Sequence, residues 1–462
     1  MSKKRHRTMT NRRSGSLLVC AAATTMAAVF TAGCSQHDPT SAPPPTVTAP
    51  QLITPHPKIT PVPADAPSPS PEILAAVLQP ALDNPDLGSL TGHVTDAQTG
   101  ATLWQQQTDT PQVPGSIVKV LTTAAALLTL PADHRTTTTV VQGATPGQLV
   151  LVGGGDPTLT AKPTGTQGYY TDAPHLDDLI SQIHRSGIHV SSLMVDNTIF
   201  AGPTIAPGWD TADIAGGSIA PIESVMLDGG RTDPLADYSP RTHTPALDTG
   251  RALAEQLGLD PASVTEGITP STATPATPVV ASVQSAPLST RLRDLMVHSD
   301  DVLAETVGFE IALARGLPAT FDGAVDAITH TLQESGFDTT GAQLRDASGL
   351  STDDRISAHL IDQVLTAAAG PDTPELRPLL DTLPVAGATG TLVDRFNPPS
   401  PAAGWVRAKT GSLSGVSSLA GIVVDNDRRV LTFTLMSNGT APEAARPALD
   451  AVATALRGCG CR

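Results

Sequence analysis

Three short motifs, far apart and in a fixed order, constrain this chain more than any other feature. They are Ser116-Ile-Val-Lys119, Ser299-Asp-Asp301 and Lys409-Thr-Gly411. Lysine is scarce. Beyond the first 33 residues only Lys58, Lys119, Lys162 and Lys409 occur, and two of these four fall on the motifs. Ser116 and Lys119 stand three apart at the head of an apolar run, Val118, Leu121, Ala124, Ala125 and Leu128, whose spacing predicts a helix. A helix starting near Ser116 aims both polar side chains into one cleft while its other faces pack. Alone, the tetrapeptide reads rather as a surface lysine near a helix start. The contexts of the set are a helix start, an interhelix loop and a strand end, and one fold has to join residues 183 positions apart.

The length of 462 residues suits two or more domains. Aromatic residues are only 3% of the chain, so the core has to be built from Ala, Leu, Val and Ile. Formal net charge is −16, and six positive charges sit in the first 33 residues, so the remainder is more acidic still. That balance argues against nucleic acid as a partner, because phosphate contacts need Lys and Arg.

Residues 1–33 read as an export signal, with the basic MSKKRHRTMTNRR followed by an apolar stretch. They end in TAGCS, which resembles a bacterial lipobox with Cys34 as the lipidated residue. Thr31 stands where such boxes have Leu, which leaves an uncleaved anchor or simple secretion as alternatives. Arg12-Arg13 is a faint twin-arginine hint. Residues 34–72 are rich in Pro, Thr and Ser and read as an extended spacer. With no cysteine between 35 and 458, no disulfide framework is expected, and Cys459 and Cys461 read as a frayed tail.

Folding is expected to start at the amphipathic stretch near residue 73. A hairpin follows (LTGHVTD, ATLWQQQ), then the Ser116–Lys119 helix. Residues 135–285 read as a strand-rich inserted region that closes on the Pro/Thr/Ser-rich ITPSTATPATPVVAS. Helices are expected near 289–297, 302–314, 320–335 and 357–369. GWVRAKTG, SSLAGIVV and RVLTFTLM read as three strands before a closing helix. Gly153–Gly155 reads as a tight turn, because no Gly-Lys-Ser/Thr follows it. The twelve His lack ligand spacing, so no metal or cofactor is expected, and His298 reads as a loop residue.

The motif residues suit acyl transfer. A serine hydroxyl needs a base to become a nucleophile. Lys119, partly desolvated near a second cation, could be that base for Ser116. Ser299 could relay a proton to a leaving amine. Lys409 could meet a substrate carboxylate, with the Thr410 and Ser412 hydroxyls as donors. The Ser116 and Ser412 amides could form an oxyanion hole, and Gly411 allows close approach.

The ordered S-x-x-K, S-x-D and K-T-G set resembles the signature of penicillin-binding proteins and class A β-lactamases. With GGGDPTLT (153–160), VDNTIFAGP and PGW (195–209), DASGLSTDDRIS (346–357) and VAGATGTL (385–392), residues 73–457 are similar to class C, type 4 penicillin-binding proteins, the D-alanyl-D-alanine carboxypeptidase/endopeptidases. The resemblance implies an α/β (α+β) fold. A serine β-lactamase/transpeptidase-like domain, an antiparallel sheet flanked by helices, would comprise residues 73–134 and 286–462 and be interrupted by the insertion. It also implies an exported D,D-peptidase acting on peptidoglycan stem peptides through an acyl-enzyme on Ser116, with β-lactams as covalent inhibitors and the membrane met through a lipid anchor. Asp301 departs from the family's Asn: an ionised carboxylate only accepts hydrogen bonds and favours a protonated Lys119. Asp354 likewise stands where Asn is common. The alternatives are a β-lactamase or esterase on the same fold, and a catalytically impaired cell-wall-binding protein.

Overall fold

The computed structural model describes residue 63 and residues 65–269, 278–397 and 399–460. The expected leader, the lipobox Cys34, most of the Pro/Thr/Ser-rich spacer and Cys461 lie outside the described residues. The first helix, α1 (Pro71–Leu82), precedes the hairpin β1 (Ser89–Asp96) and β2 (Thr102–Gln106). Next comes α2 (Val118–Thr129), then β3 (Thr137–Gln142), β4 (Gln148–Val152), α3 (Leu176–Ser186) and β5 (Ser192–Asp196). After α4 (Ala212–Gly216) and α5 (Pro245–Gln256) come β6 (Thr265–Glu266) and β7 (Val279–Gln284). Five helices follow: α6 (Leu288–His298), α7 (Asp301–Ala314), α8 (Phe321–Glu334), α9 (Ala358–Ala369) and α10 (Arg377–Thr382). The chain ends in β8 (Val406–Leu413), β9 (Val416–Val424), β10 (Val430–Asn438) and α11 (Pro442–Gly458).

One five-stranded sheet has the order β2-β1-β10-β9-β8 and is antiparallel throughout. Its two faces follow from strand alternation. Leu419, Val423, Leu431, Phe433 and Leu435 point to one side and pack with Leu74 and Leu78 of α1 and Leu449, Val452 and Leu456 of α11. Ala420 and Met436 point to the other and join a core of α2, α6, α7, α8 and α9. The second face is partly polar: Thr95 donates to Asp362 at 2.6 Å, and Thr366 and Thr432 share a 2.8 Å hydrogen bond. Burial is nearly continuous along α7, which has lost any polar face after its first turn.

The second sheet has the order β6-β5-β4-β3-β7 and is mixed, with β4/β5 and β5/β6 parallel. Leu179 and Ile183 of α3 and Leu253 of α5 pack on its Val140, Leu151 and Val195. The α3 crossover joins the parallel pair β4 and β5.

Several expectations change. Residues 279–284 form β7, where the inserted region was expected to close on a Pro/Thr/Ser-rich stretch, because Val280 and Ala281 fill an edge position beside β3. In the triple glycine only Gly155 has positive φ, +89°. Gly153 and Gly154 serve close approach instead: a Cβ on them would lie 2.4 Å from the Ser224 carbonyl oxygen and 2.1 Å from that of Thr137. Cys459 is no frayed end. It is buried and disulfide-bonded, and its carbonyl accepts from the Asn426 amide at 3.0 Å. His298 closes α6 instead of lying in a loop.

Candidate active site

Ser116 sits in a single 3-10 turn (Gly115–Ile117) that runs directly into α2, so the regular helix begins two residues later than expected. The turn is fixed to the antiparallel sheet through backbone. Ser418 Oγ donates to the Pro114 carbonyl at 2.6 Å, and Asn438 Nδ2 to that of Val113 at 3.1 Å. Gly115 has φ +61°, and a Cβ there would lie 3.1 Å from the Ser412 amide nitrogen. A Cβ on Gly411 would lie 3.1 Å from the Ser116 nitrogen and only 2.6 Å from the Pro114 oxygen. Two glycines therefore let the nucleophile turn lie against β8, with the Ser116 and Ser412 amides close together.

Lys119 is wholly buried, not partly desolvated as the sequence suggested. Its Nζ donates to Ser116 Oγ at 3.0 Å, Asp301 Oδ1 at 2.5 Å and the Ser348 carbonyl at 2.9 Å. All three of its donors are thus used. Lys409 is also wholly buried, and its Nζ donates to Ser299 Oγ at 2.7 Å and to the Thr410 carbonyl at 2.9 Å. Burial, then the nearby Lys119 ammonium, push the Lys409 pKa well below its ordinary value, against a smaller opposing pull from Asp301. Burial raises the Asp301 pKa despite the Lys119 cation beside it.

Ser299 has φ +56° and closes α6, while Asp300 caps α7 by accepting from the Leu303 amide at 2.8 Å. The left-handed turn swings Ser299 towards Lys409 and Asp301 towards Lys119. Asp300 faces away, into a buried cluster. It accepts from Arg231 Nη2 at 2.8 Å and from the Tyr170 hydroxyl at 3.0 Å, with Arg241 at 3.8 Å. Burial pushes its pKa up, but Arg231 and Arg241 together hold it well below the usual carboxylate range. The Arg231 guanidinium also lies 3.6 Å from the centroid of the Tyr169 ring.

Thr410 Oγ1 donates to Thr391 Oγ1 at 2.8 Å, and Ser412 Oγ accepts from Arg446 Nε of α11 at 3.2 Å. Behind Lys119 lies a carboxylate group that sequence reading did not place. Glu305 accepts from the Ala347 amide at 2.9 Å, and burial with the neighbouring Asp346 charge raises its pKa well above the ordinary value. Asp346 accepts from the Gly349 amide at 2.6 Å and from Trp209 Nε1 at 2.7 Å. Asp354, first by burial and then by Asp346, is pushed up to about 10.

The structure brings Ser116, Lys119, Ser299, Asp301, Lys409, Thr410, Gly411 and Ser412 together where the Ser116 turn meets β8 and the start of α7. Sequence reasoning missed Ser348, Glu305, Arg231, Tyr170 and Arg446. DASGLSTDDRIS carried a signal for Ser348, but nothing local marked Arg231.

The model of the D-Ala-D-Ala carboxypeptidase 3 (S13) family matches residues 74–241 and 236–458. The chain belongs to that family. Within the S13 family, it is 53% identical over 398 residues to the carboxypeptidase DacB of Mycolicibacterium smegmatis, covering 85% of this chain and 86% of that one. It is 28% identical over 475 residues to a D-alanyl-D-alanine carboxypeptidase of an Actinomadura species, covering 83% and 84%. Penicillin-binding protein 4 of Haemophilus influenzae shares the S13 chain's fold, with a TM-score of 0.67 at 20% identity over 82% of this chain and 97% of that structure. The expected transpeptidase-like α/β fold is therefore the fold observed.

Proposed function

We infer that the chain is a serine D-Ala-D-Ala carboxypeptidase acting on peptidoglycan stem peptides, and propose Ser116 as its nucleophile. The observation that carries this is the hydrogen bond from buried Lys119 to Ser116 Oγ at 3.0 Å, in a chain of the S13 family. Lys119 takes the Ser116 proton as Oγ bonds to the carbonyl carbon of the penultimate D-Ala. The Ser116 and Ser412 amides hold the oxyanion. The C–N bond to the last residue breaks, and Ser299 passes the proton to the leaving nitrogen. Thr410 and Ser412 orient the leaving residue's carboxylate, with Lys409 behind them. Water then releases the acyl group. Whether that leaving residue is a terminal D-Ala or a cross-linked neighbour, the same groups serve, so endopeptidase action belongs to the same proposal.

The proposal extends to the chain's organisation. Residues 1–33 direct export, Cys34 carries lipid, and residues 34–72 space the body from the outer face of the membrane. Residues 135–285 are an accessory region inserted into the catalytic domain. β-Lactams acylate Ser116. One rival has its own observation, the 2.5 Å contact of Lys119 with Asp301, which favours a protonated lysine and an impaired site.

The test is labelling of the full-length protein with a fluorescent penicillin beside Ser116→Ala. A stable band lost in Ser116→Ala supports the proposal. No band, with no loss of a chromogenic β-lactam in the same tube, sinks it in favour of the impaired site. Fast loss of the chromogenic substrate identifies a β-lactamase.

A further inference from the structure

Asp301 raises a problem that the proposed reaction has to solve. An ionised carboxylate against Lys119 Nζ holds the lysine as ammonium, and an ammonium cannot take the Ser116 proton. We propose that Asp301 is itself a proton acceptor: in the reactive state the proton of the Lys119–Asp301 pair rests on the carboxyl group, leaving Lys119 a free amine beside Ser116. This rests on the reading of Ser116 as nucleophile.

The geometry permits the transfer without moving a heavy atom, since Nζ and Oδ1 are 2.5 Å apart. Both groups are buried, where a separated pair of charges loses its hydration and a neutral amine–acid pair gives up far less. The surroundings act in the same direction. Glu305 on the same helix and Asp346 in the loop before α9 lie near the pair, and Asp300, which faces away, acts on Asp301 through its charge alone. The Asp300 and Asp346 charges disfavour a further anion at 301, although Asp300 is paired with Arg231. Lys409 on β8 is the opposing cation, and its own burial favours its neutral form. The 2.5 Å contact, the burial of both groups and the raised Asp301 pKa therefore act in one direction.

The proton count closes. Lys119 passes one proton to Asp301, turns about its Cε–Nζ bond so that its lone pair faces Ser116, and takes the Ser116 proton as the Oγ–carbonyl bond forms. That second proton leaves through Ser299 to the nitrogen of the broken C–N bond. Lys119 is again a free amine, able to take a proton from the water that attacks the acyl-enzyme. Asp301 returns its proton to Lys119 when the cycle ends.

The experiment is the pH profile of the acylation rate with a fluorescent penicillin, for the full-length protein, Asp301→Asn and Asp301→Glu, with folding checked by near-ultraviolet circular dichroism. In the unmodified protein and Asp301→Glu the first ionisation of the pair already frees the amine, so the rate rises to a plateau there, and the second ionisation removes the carboxyl proton without removing the amine. Asp301→Asn shows a single ascending limb, about tenfold per pH unit below its midpoint. An infrared difference spectrum of the unmodified protein, taken from the start of the plateau to higher pH, shows loss of a carboxylic-acid carbonyl band, a readout that needs no folded variant. A plateau reached with no carboxylic-acid carbonyl band present overturns the proposal, as does a rate that rises only as the second proton leaves the pair. Labelling of Asp301→Asn alone overturns it while leaving Ser116 as nucleophile. No labelling of any form at any pH removes the acyl-enzyme reading itself.

Discussion

Arg231→Ala removes a guanidinium that the active site never touches, yet the structure ties it to the chemistry. Arg231 donates to Asp300 at 2.8 Å and to the Tyr170 hydroxyl at 2.9 Å, and the ion pair is almost fully buried on both sides. Removing one partner of a buried pair costs about 3–5 kcal/mol, because the other is left as an uncompensated charge. Arg241 stays 3.8 Å from the same Asp300 oxygen and offsets part of this. Loss of the stacking on Tyr169 adds about 0.5–2 kcal/mol. The net expectation is about 3–4 kcal/mol, read by calorimetry as a fall of several degrees in the unfolding midpoint. Asp300 also caps α7 and adjoins Ser299 and Asp301, so acylation by a fluorescent penicillin should slow about tenfold or more, the effect of ~1.4 kcal/mol on the barrier. Arg231→Ala with Asp300→Ala completes a double-mutant cycle, and the pair should couple by at least 1 kcal/mol, within the roughly 0.5–3 kcal/mol range for contacting residues. A coupling near zero, or an unchanged acylation rate in a destabilised Arg231→Ala protein, would refute the claim that this cluster holds the Ser299–Asp301 turn.

Gly349 has φ +81° and a Cβ there would lie 2.1 Å from the Gly115 carbonyl oxygen, so Gly349→Ala should displace the Ser116 turn and abolish labelling in a protein that still melts cooperatively. Lys409→Met removes a buried amine whose pKa is depressed. The folded state binds fewer protons there than the unfolded chain, so the native protein's stability rises with pH up to the unfolded lysine's ionisation. The variant should lose this dependence, melt higher near neutrality and fail to turn over a D-Ala-D-Ala peptide. For Asp354, pushed up to about 10, the sign is the reverse: stability falls as pH rises from about 4 towards 10, and Asp354→Asn should flatten that slope in melts taken from pH 5 to 9. Arg446→Gln should raise KM for a peptide ending in a free carboxylate and leave an amide-capped peptide unaffected, because Arg446 reaches Ser412 Oγ from outside the cleft. An equal effect on both peptides would assign Arg446 to the packing of α11.

The elements that build the cleft were legible because their sequence signals are local. Helical spacing marked α2, the alternating strands β9 and β10 have short connections, and Ser-x-x-Lys and Lys-Thr-Gly state their own chemistry. Even the threat from Asp301 to Lys119 could be read, since it follows from the hydrogen-bonding set of a carboxylate. The rest depends on contacts that sequence spacing does not encode. Arg231 meets Asp300 across 69 positions, and Glu305 meets the Ala347 amide across 42. Strand β7 was hidden by the Pro/Thr-rich residues that precede it. The order of burial was hidden too: nothing in RAKTGSL says that Lys409 has no exposed surface. That burial puts the depressed pKa on the lysine expected to meet the substrate's carboxylate.

Charge in the cleft follows from this arrangement. With Asn at 301, two wholly buried lysines would face each other with no anion in contact, and each would favour the neutral form of the other. With Asp301 the pair gains a compensating charge at 2.5 Å from Lys119. The cost is a weaker positive field towards an incoming carboxylate, because Lys409 leans towards its neutral form and Asp301 cancels Lys119. On the proposed mechanism, recognition of a carboxylate therefore passes to groups that do not depend on either lysine's proton: the hydroxyls of Thr410 and Ser412, and the exposed Arg446. On that mechanism, Asp at 301 shifts the recognition of a substrate carboxylate from the wholly buried lysines to Ser412 and the exposed Arg446.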